Sequence, residues 1–318
     1  LKVIFVCIHD WANECYTISK ALNTVGVDSR CFVKKTNENK YPERGIRFEK
    51  IGKFRHVIRD ANVIVYGFSE YFELGFEIPK NTVVGVLHGG SKYRQNYNKL
   101  NEIFNPIVDI TLSGSDMCNL GAKNEVCVFS AVDDEYIKPK YKEFQGARKK
   151  IIGHFPSGNK GSDIILPIIA KLKDEFDFIY SYSDSKVPFA NQIHRMSKCD
   201  IYIENMRENQ DGRVLTTFGR TCLEAAALGK IVCTRFPDIE LYKSMFGDCP
   251  IKVTNTEKEL EEKLRYLLSC PNKEFIRLQK ETRKWVEDKH GLKAMGSKWK
   301  EIFENALKEK KKELRGEL

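Results

Sequence analysis

Residues 3–8 read Val-Ile-Phe-Val-Cys-Ile, an unbroken apolar run of strand length. Runs of the same kind return at residues 31–33, 62–66, 82–87, 107–112 and 126–129, each with β-branched or aromatic content. Several are continuous rather than alternating, as strands are when helices cover both faces of a parallel sheet. Between the first two, residues 14–25 set Ile18, Ala21, Leu22 and Val25 at helical spacing, and Gly26 follows as a permissive C-terminal cap. Strand, helix and strand within about 33 residues make a βαβ unit, so the spacing predicts a doubly wound α/β domain.

A second series starts afresh near residue 149. The pattern predicts a strand at 151–155, a helix at 162–174 and a strand at 176–182, with 199–203, 219–228 and 230–234 continuing the alternation. Residues 133–150, with Pro139, Gly146 and many charges, suit a linker. A chain of 318 residues suits two such domains. The expected division is 1–147, 148–295 and a last helix at 296–318. That helix gathers Trp299, Ile302, Phe303, Ala306 and Leu307 on one apolar face and must dock on something. Tandem Rossmann-like domains bind ligands at the carboxyl ends of their strands, in the cleft between them.

Apolar residues make up 42% and charged residues 31%, which excludes a disordered chain. No apolar run approaches the roughly 18–20 residues of a membrane-spanning helix. The opening run is too short for a signal peptide and leads straight into His9 and Asp10. Ten cysteines stand singly, without zinc-type spacing, as buried free thiols of a reducing compartment do. A cytoplasmic protein is expected. The net charge is +9, and residues 34–59 hold nine basic side chains against three acidic ones, beginning with Lys34 and Lys35. Such an excess attracts an anionic partner or simply forms a solvated face.

Two stretches carry chemistry. The first runs from Gly153 and His154 through Gly158 and Lys160 to Gly161, ahead of a helix. Small residues let the backbone approach a ligand, the helix N-terminus offers N–H groups to an anion, and Lys160 adds a cation. It suits a diphosphate but is not a Walker loop. In the second, Phe218-Gly219 opens a helix in which Glu224 lies among Cys222, Leu223, Ala225 and Ala226. A carboxylate there needs a partner, either sugar hydroxyls or a nearby Lys or Arg.

Together these stretches resemble the retaining "group 1" (family 4-like) glycosyltransferases of GT-B fold. Gly153-His154…Lys160-Gly161 is similar to that family's Gly-Arg…Lys-Gly segment. Thr216-Thr217-Phe218-Gly219…Leu223-Glu224-Ala225…Gly229 is similar to its Glu-Gly-Phe-Gly…Leu-Glu-Ala…Gly segment. Cys199-Asp200 resembles its Ala-Asp strand, and Leu87-His88-Gly89 stands where it has a histidine. The resemblance implies two Rossmann-like domains facing a cleft, with the last helix crossing back to the first. It implies a nucleotide-sugar donor held by His154, Lys160, Thr216, Gly219, Arg220 and Glu224, with His88 at the reacting sugar. On the acceptor side it points to Lys34, Lys35 and Arg94. No metal and no cofactor beyond the nucleotide-sugar is implied. The reaction implied is surface glycan or glycolipid synthesis, with an anionic acceptor or membrane surface as partner. The alternatives are an enzyme that glycosylates hydroxylated DNA bases and a non-catalytic nucleotide- or glycan-binding descendant. Three positions depart from the family: His154 for its Arg, Thr216 for its first Glu, and residues 9–13 for its glycine-rich turn.

Overall fold

A computed structural model describes residues 1–35, 39–141 and 148–317. The chain divides into two units. Unit one is Leu1–Ala131 with Gly291–Leu318, and unit two is Val132–His290.

In unit one the elements are β1 (Lys2–His9), α1 (Glu14–Thr24), β2 (Asp28–Lys35), β3 (Ile46–Arg47), α2 (Arg55–Arg59) and β4 (Val63–Gly67). They continue with β5 (Val83–His88), α3 (Gly90–Phe104), β6 (Ile110–Gly114) and β7 (Glu125–Val128). The strands form one parallel sheet in the order β3-β2-β1-β4-β5-β6-β7. β1 is central: Val3 through Val6 pair with Ser29 through Phe32 on one side and Val63 through Tyr66 on the other. Covered on both faces, those four residues have no solvent exposure, which is why the run is continuous rather than alternating. Gly26 closes α1 at φ 78, in the left-handed region that favours glycine.

Unit two holds β8 (Lys150–His154), α4 (Ser162–Lys173), β9 (Phe178–Tyr182), α5 (Phe189–Ser197) and β10 (Ile201–Ile203). A short hairpin follows, β11 (Asn209–Gln210) and β12 (Arg213–Val214), then α6 (Arg220–Ala227), β13 (Ile231–Thr234), α7 (Ile239–Phe246) and β14 (Lys252–Val253). Helices α8 (Glu257–Ser269) and α9 (Asn272–Lys289) complete it. Its parallel sheet runs β14-β13-β10-β8-β9. Isoleucines of α4 and leucines of α8 bury one face of that sheet.

The last helix, α10 (Leu292–Leu314), belongs to unit one. It approaches α1 so closely that a Cβ at Gly296 would stand 2.2 Å from the carbonyl oxygen of Ala21. Its buried face is Leu292, Met295, Trp299 and Phe303, and the Phe303 ring meets Phe5 of β1 edge-on. Lys310 pairs with Asp109 at 2.7 Å further along.

Unit boundaries differ from the expected 147 and 295, because residues 132–141 are bonded into unit two. Val132 N donates to His290 O, and Lys140 N to Leu228 O. Arg283 of α9 donates to the carbonyls of Asp134, Ile137 and Ala227. A charged composition suggested a linker, but its backbone groups are fixed. Lys150, also placed in that linker, is a buried residue of β8 whose ammonium caps α8 through Leu267 O, Leu268 O and Cys270 O. Residues 142–147 lie outside the described part. No helix among the described residues is long and apolar enough to cross a membrane.

Candidate functional site

In unit two the strands β8, β10 and β13 end side by side, and the groups that follow them converge on Glu204. This residue leaves β10 and is 2% exposed. Lys160, from the glycine-bearing loop after β8, brings its Nζ to 2.5 Å from Oε1. Thr221 of α6 donates to Oε1 at 3.1 Å, and Thr234 at the end of β13 donates to Oε2 at 2.8 Å. Gly219 N, at the start of α6, lies 3.5 Å from Oε2. Burial works to raise the Glu204 carboxyl, but the Lys160 charge and these hydrogen bonds outweigh it and hold the group below its usual range. The lysine itself keeps a partly exposed side chain, 22%. Its ammonium is thus anchored on a buried carboxylate while the side chain as a whole stays partly exposed.

Glycine at 219 has a direct reason. A Cβ there would stand 2.8 Å from Glu204 Oε1 and 3.3 Å from Lys160 Nζ. Gly161 sits at φ 78, where a Cβ would press on the backbone of Met206 and Arg207 at 3.0 Å. Both glycines let separate loops close on the same spot. Deeper in α6, Glu224 pairs with Arg220 at 3.4 Å, one turn earlier. The hydroxyls of Thr216 and Thr217 are buried without a hydrogen-bond partner just ahead of α6.

His154 lies beside these groups and bonds their neighbours instead. Its ring is fully buried, with Nδ1 2.9 Å from Ile203 O and Nε2 3.0 Å from Ser162 Oγ. Burial lowers its pKa below the usual histidine value. Both nitrogens are spent on joining β8 to β10 and to the start of α4, so the residue in the place of the family's arginine is a bracket between backbone elements.

Unit one carries its own cluster. His88 ends β5, stacks on Tyr93 with centroids 3.8 Å apart, and has Nδ1 2.8 Å from Ser69 Oγ. Burial pushes its pKa down to about 3, so the ring is neutral near pH 7. Nε2 is buried and has no hydrogen-bond partner. Ser69 reaches the ring from a turn in which Phe68 and Ser69 take positive φ, 55 and 57. The next residue, Glu70, accepts from His9 N at 2.8 Å and meets His9 Nδ1 at 3.0 Å. Lys34 and Lys35 are exposed at the end of β2. Arg94 is different: its Nε is 2.6 Å from Asp116 Oδ2, so its charge is engaged inside unit one rather than offered outward.

A cavity of about 840 Å³ opens beside the Glu204 cluster in unit two, lined among others by Asn159, Arg207, Asn209, Arg235 and Asn255. It adjoins the loop of Lys160 at Asn159 and has polar walls suited to a hydroxyl-rich ligand. Glu204 is the functional residue the motifs did not reveal. The only signal for it was an acidic residue directly after an apolar strand, since its partners come from 15 to 44 residues away.

No protein-family model matches the sequence. No curated protein matches it either. Solved structures do match over nearly the whole chain. One, an alpha-glucosyltransferase in complex with UDP, has a TM-score of 0.65 at 12% identity and covers 95% of this chain and 99% of that one. Another holds an alpha-glucosyltransferase with UDP and a 13-mer DNA containing an HMU base, with TM-score 0.65, 11% identity and coverage of 95% and 98%. HepE from Anabaena, in complex with UDP, gives 0.57 at 10% identity, covering 96% of this chain and all of that one. The fold is GT-B. At such identities likeness fixes the architecture, and the chemistry has to be argued from the residues.

Proposed function

We propose that this protein is a glycosyltransferase that takes a sugar from a nucleoside-diphosphate donor bound to unit two. The observation that carries the reading is the convergence of the Lys160 ammonium and the N-terminus of α6 on one spot at the carboxyl ends of β8 and β10. A departing diphosphate gains negative charge as the glycosidic bond breaks, and a fixed cation with helix N–H groups stabilises it without a metal. Glu204 holds Lys160 in place, and the partly exposed lysine offers its charge to phosphate. The Thr216 and Thr217 hydroxyls and the Gly219 N–H add hydrogen bonds. Glu224 takes the ribose hydroxyls and Arg220 turns toward phosphate when the donor is present. His88, a neutral ring whose buried Nε2 has no hydrogen-bond partner, is the unit-one residue assigned to the transferred sugar. With Thr216 unable to act as a base, retention of the anomeric configuration rests on the donor phosphate side of the sugar. His154 keeps the loop in shape and stays off the donor. The likeness to UDP-bound structures supports a UDP-sugar as the first donor to try.

Screening UDP-, GDP-, ADP- and CMP-sugars by thermal shift identifies the donor, because a ligand of the native state raises the melting temperature according to its affinity. The selected donor is then expected to be hydrolysed slowly, or transferred to an acceptor, with EDTA present in the assay. A requirement for added manganese or magnesium would remove the metal-free mechanism. Silence from all four donor classes would remove the donor site itself.

For the acceptor, the proposal is an anionic molecule or one carried on an anionic surface, in glycan or glycolipid synthesis on the cytoplasmic face of a membrane. Residues 34–59 support it: Lys40, Arg44, Arg47, Lys50, Lys53, Arg55 and Arg59 are all exposed in unit one. DNA is the second reading, favoured by the likeness to a DNA-bound alpha-glucosyltransferase. Gel-shift and liposome co-sedimentation at low and high salt separate the two.

A further inference from the structure

Three thiols and a carboxylate meet inside unit one. Cys7 comes from β1, Asp10 from the turn after it, Cys15 from the first turn of α1 and Cys31 from β2, and all four are buried. Ligand atoms of Cys7, Asp10 and Cys15 lie within 4.8 Å of one another. Cys31 Sγ lies outside that group of three and is 3.9 Å from Asp10 Oδ2. Sequence spacing hid this group, because the four residues are scattered over 25 positions (7 to 31) with no pair of cysteines two or three apart.

Several features shape the cluster. Ala12 and Asn13 hold consecutive positive φ values, 54 and 57, and fold the chain so that Asp10 and Cys15 both return to Cys7. Asp10 is oriented by the N–H groups of Cys15 and Tyr16, each 2.9 Å from a carboxylate oxygen. On the sheet side, a Cβ at Gly67 would stand 2.4 Å from Cys7 Sγ and 2.9 Å from Cys15 Sγ, so β4 has glycine where the sulfurs need room. A core that only needs filling is poorly served by a carboxylate among thiols. Soft thiolates with one oxygen suit a borderline-soft ion, and with metal–sulfur bonds of about 2.3 Å the ligands of a tetrahedral zinc stand roughly 4 Å apart.

We propose that Cys7, Asp10, Cys15 and Cys31 form a four-ligand site for a divalent metal ion of the zinc type, which pins the β1–α1 turn to the sheet. Binding releases the three thiol protons to solvent, and the three thiolates and the carboxylate become the ligands. The ion is structural and separate from the metal-free transfer reaction.

Cobalt(II) is the probe, added to the whole reduced protein after removal of bound metal. One equivalent is expected to give the absorption bands of tetrahedral, thiolate-bound cobalt, and zinc(II) is expected to displace it and raise the melting temperature. Cys7→Ser and Cys31→Ser should lose the bands, while Cys222→Ser and Cys233→Ser, altered in unit two, should keep them. Circular dichroism shows whether the serine variants fold. If they do not, Asp10→Asn, which retains an oxygen for the turn, should bind cobalt more weakly than the wild type. Absence of tetrahedral bands in the wild type, or their survival in folded Cys7→Ser, would overturn the site. Donor binding by the zinc-free protein is measured alongside, so failure of the metal site is distinguishable from failure of the donor site.

Discussion

Two buried histidines end strands among the described residues, His88 in unit one and His154 in unit two, and their ring nitrogens are used differently. Both are buried, and burial lowers the pKa of both. His154 has both ring nitrogens bonded, to a backbone carbonyl and a serine. His88 has one bonded to Ser69, and its Nε2 has no partner. Burial alone therefore does not separate the two settings. The count of satisfied nitrogens does, since a buried polar atom left open costs free energy unless something arrives to use it.

Turnover gives the sharpest test of that contrast. His88→Ala is expected to lower kcat on the order of 100-fold, the scale of one hydrogen bond made at the reacting centre. Donor affinity should change little. A comparable loss from His154→Ala, corrected for folded protein, would erase the distinction. Stability should answer in the opposite sense. His154→Ala strands Ile203 O and the Ser162 hydroxyl, so urea unfolding should report a loss of about 2 kcal/mol, with turnover per folded molecule retained.

Acid brings the two histidines back together. Each has a folded pKa below the unfolded value of about 6.5. Their contribution to stability is complete above that pH and is lost as pH falls toward the folded value, about 3 for His88. Urea midpoints at pH 7, 6 and 5 should fall for the wild type, with a slope of up to about 1.4 kcal/mol per pH unit from each histidine. His88→Phe should flatten the slope, and an unchanged slope would show that the ring is not held neutral. The smallest effect belongs to the surface. Lys34→Glu with Lys35→Glu should weaken binding to an anionic acceptor at low salt only, whereas Arg94→Gln should disturb the fold through Asp116.

The sequence made the strands of both units legible, because sheets covered on two faces demand continuous apolar runs such as residues 3–6. Lys160 and Gly219, which the structure brings to Glu204, were legible through their motif. Glu204 and the cysteine cluster were not, since tertiary folding alone brings their partners together. The boundary at Ala131 was missed for a similar reason. Composition reports the charge of residues 133–150, but not that Arg283 and Leu228 hold the backbone at Asp134, Ile137 and Lys140. Arg94 looked like an outward cation because nothing near it in sequence announces Asp116.

The central claim is that unit two holds a nucleotide-sugar through Lys160. Calorimetric titration of the donor selected by the thermal-shift screen, into wild type and Lys160→Ala, tests it directly. Loss of one charge-assisted hydrogen bond should weaken binding by about 1.5–3 kcal/mol, roughly tenfold to 150-fold. Equal affinity in two folded proteins would contradict the account.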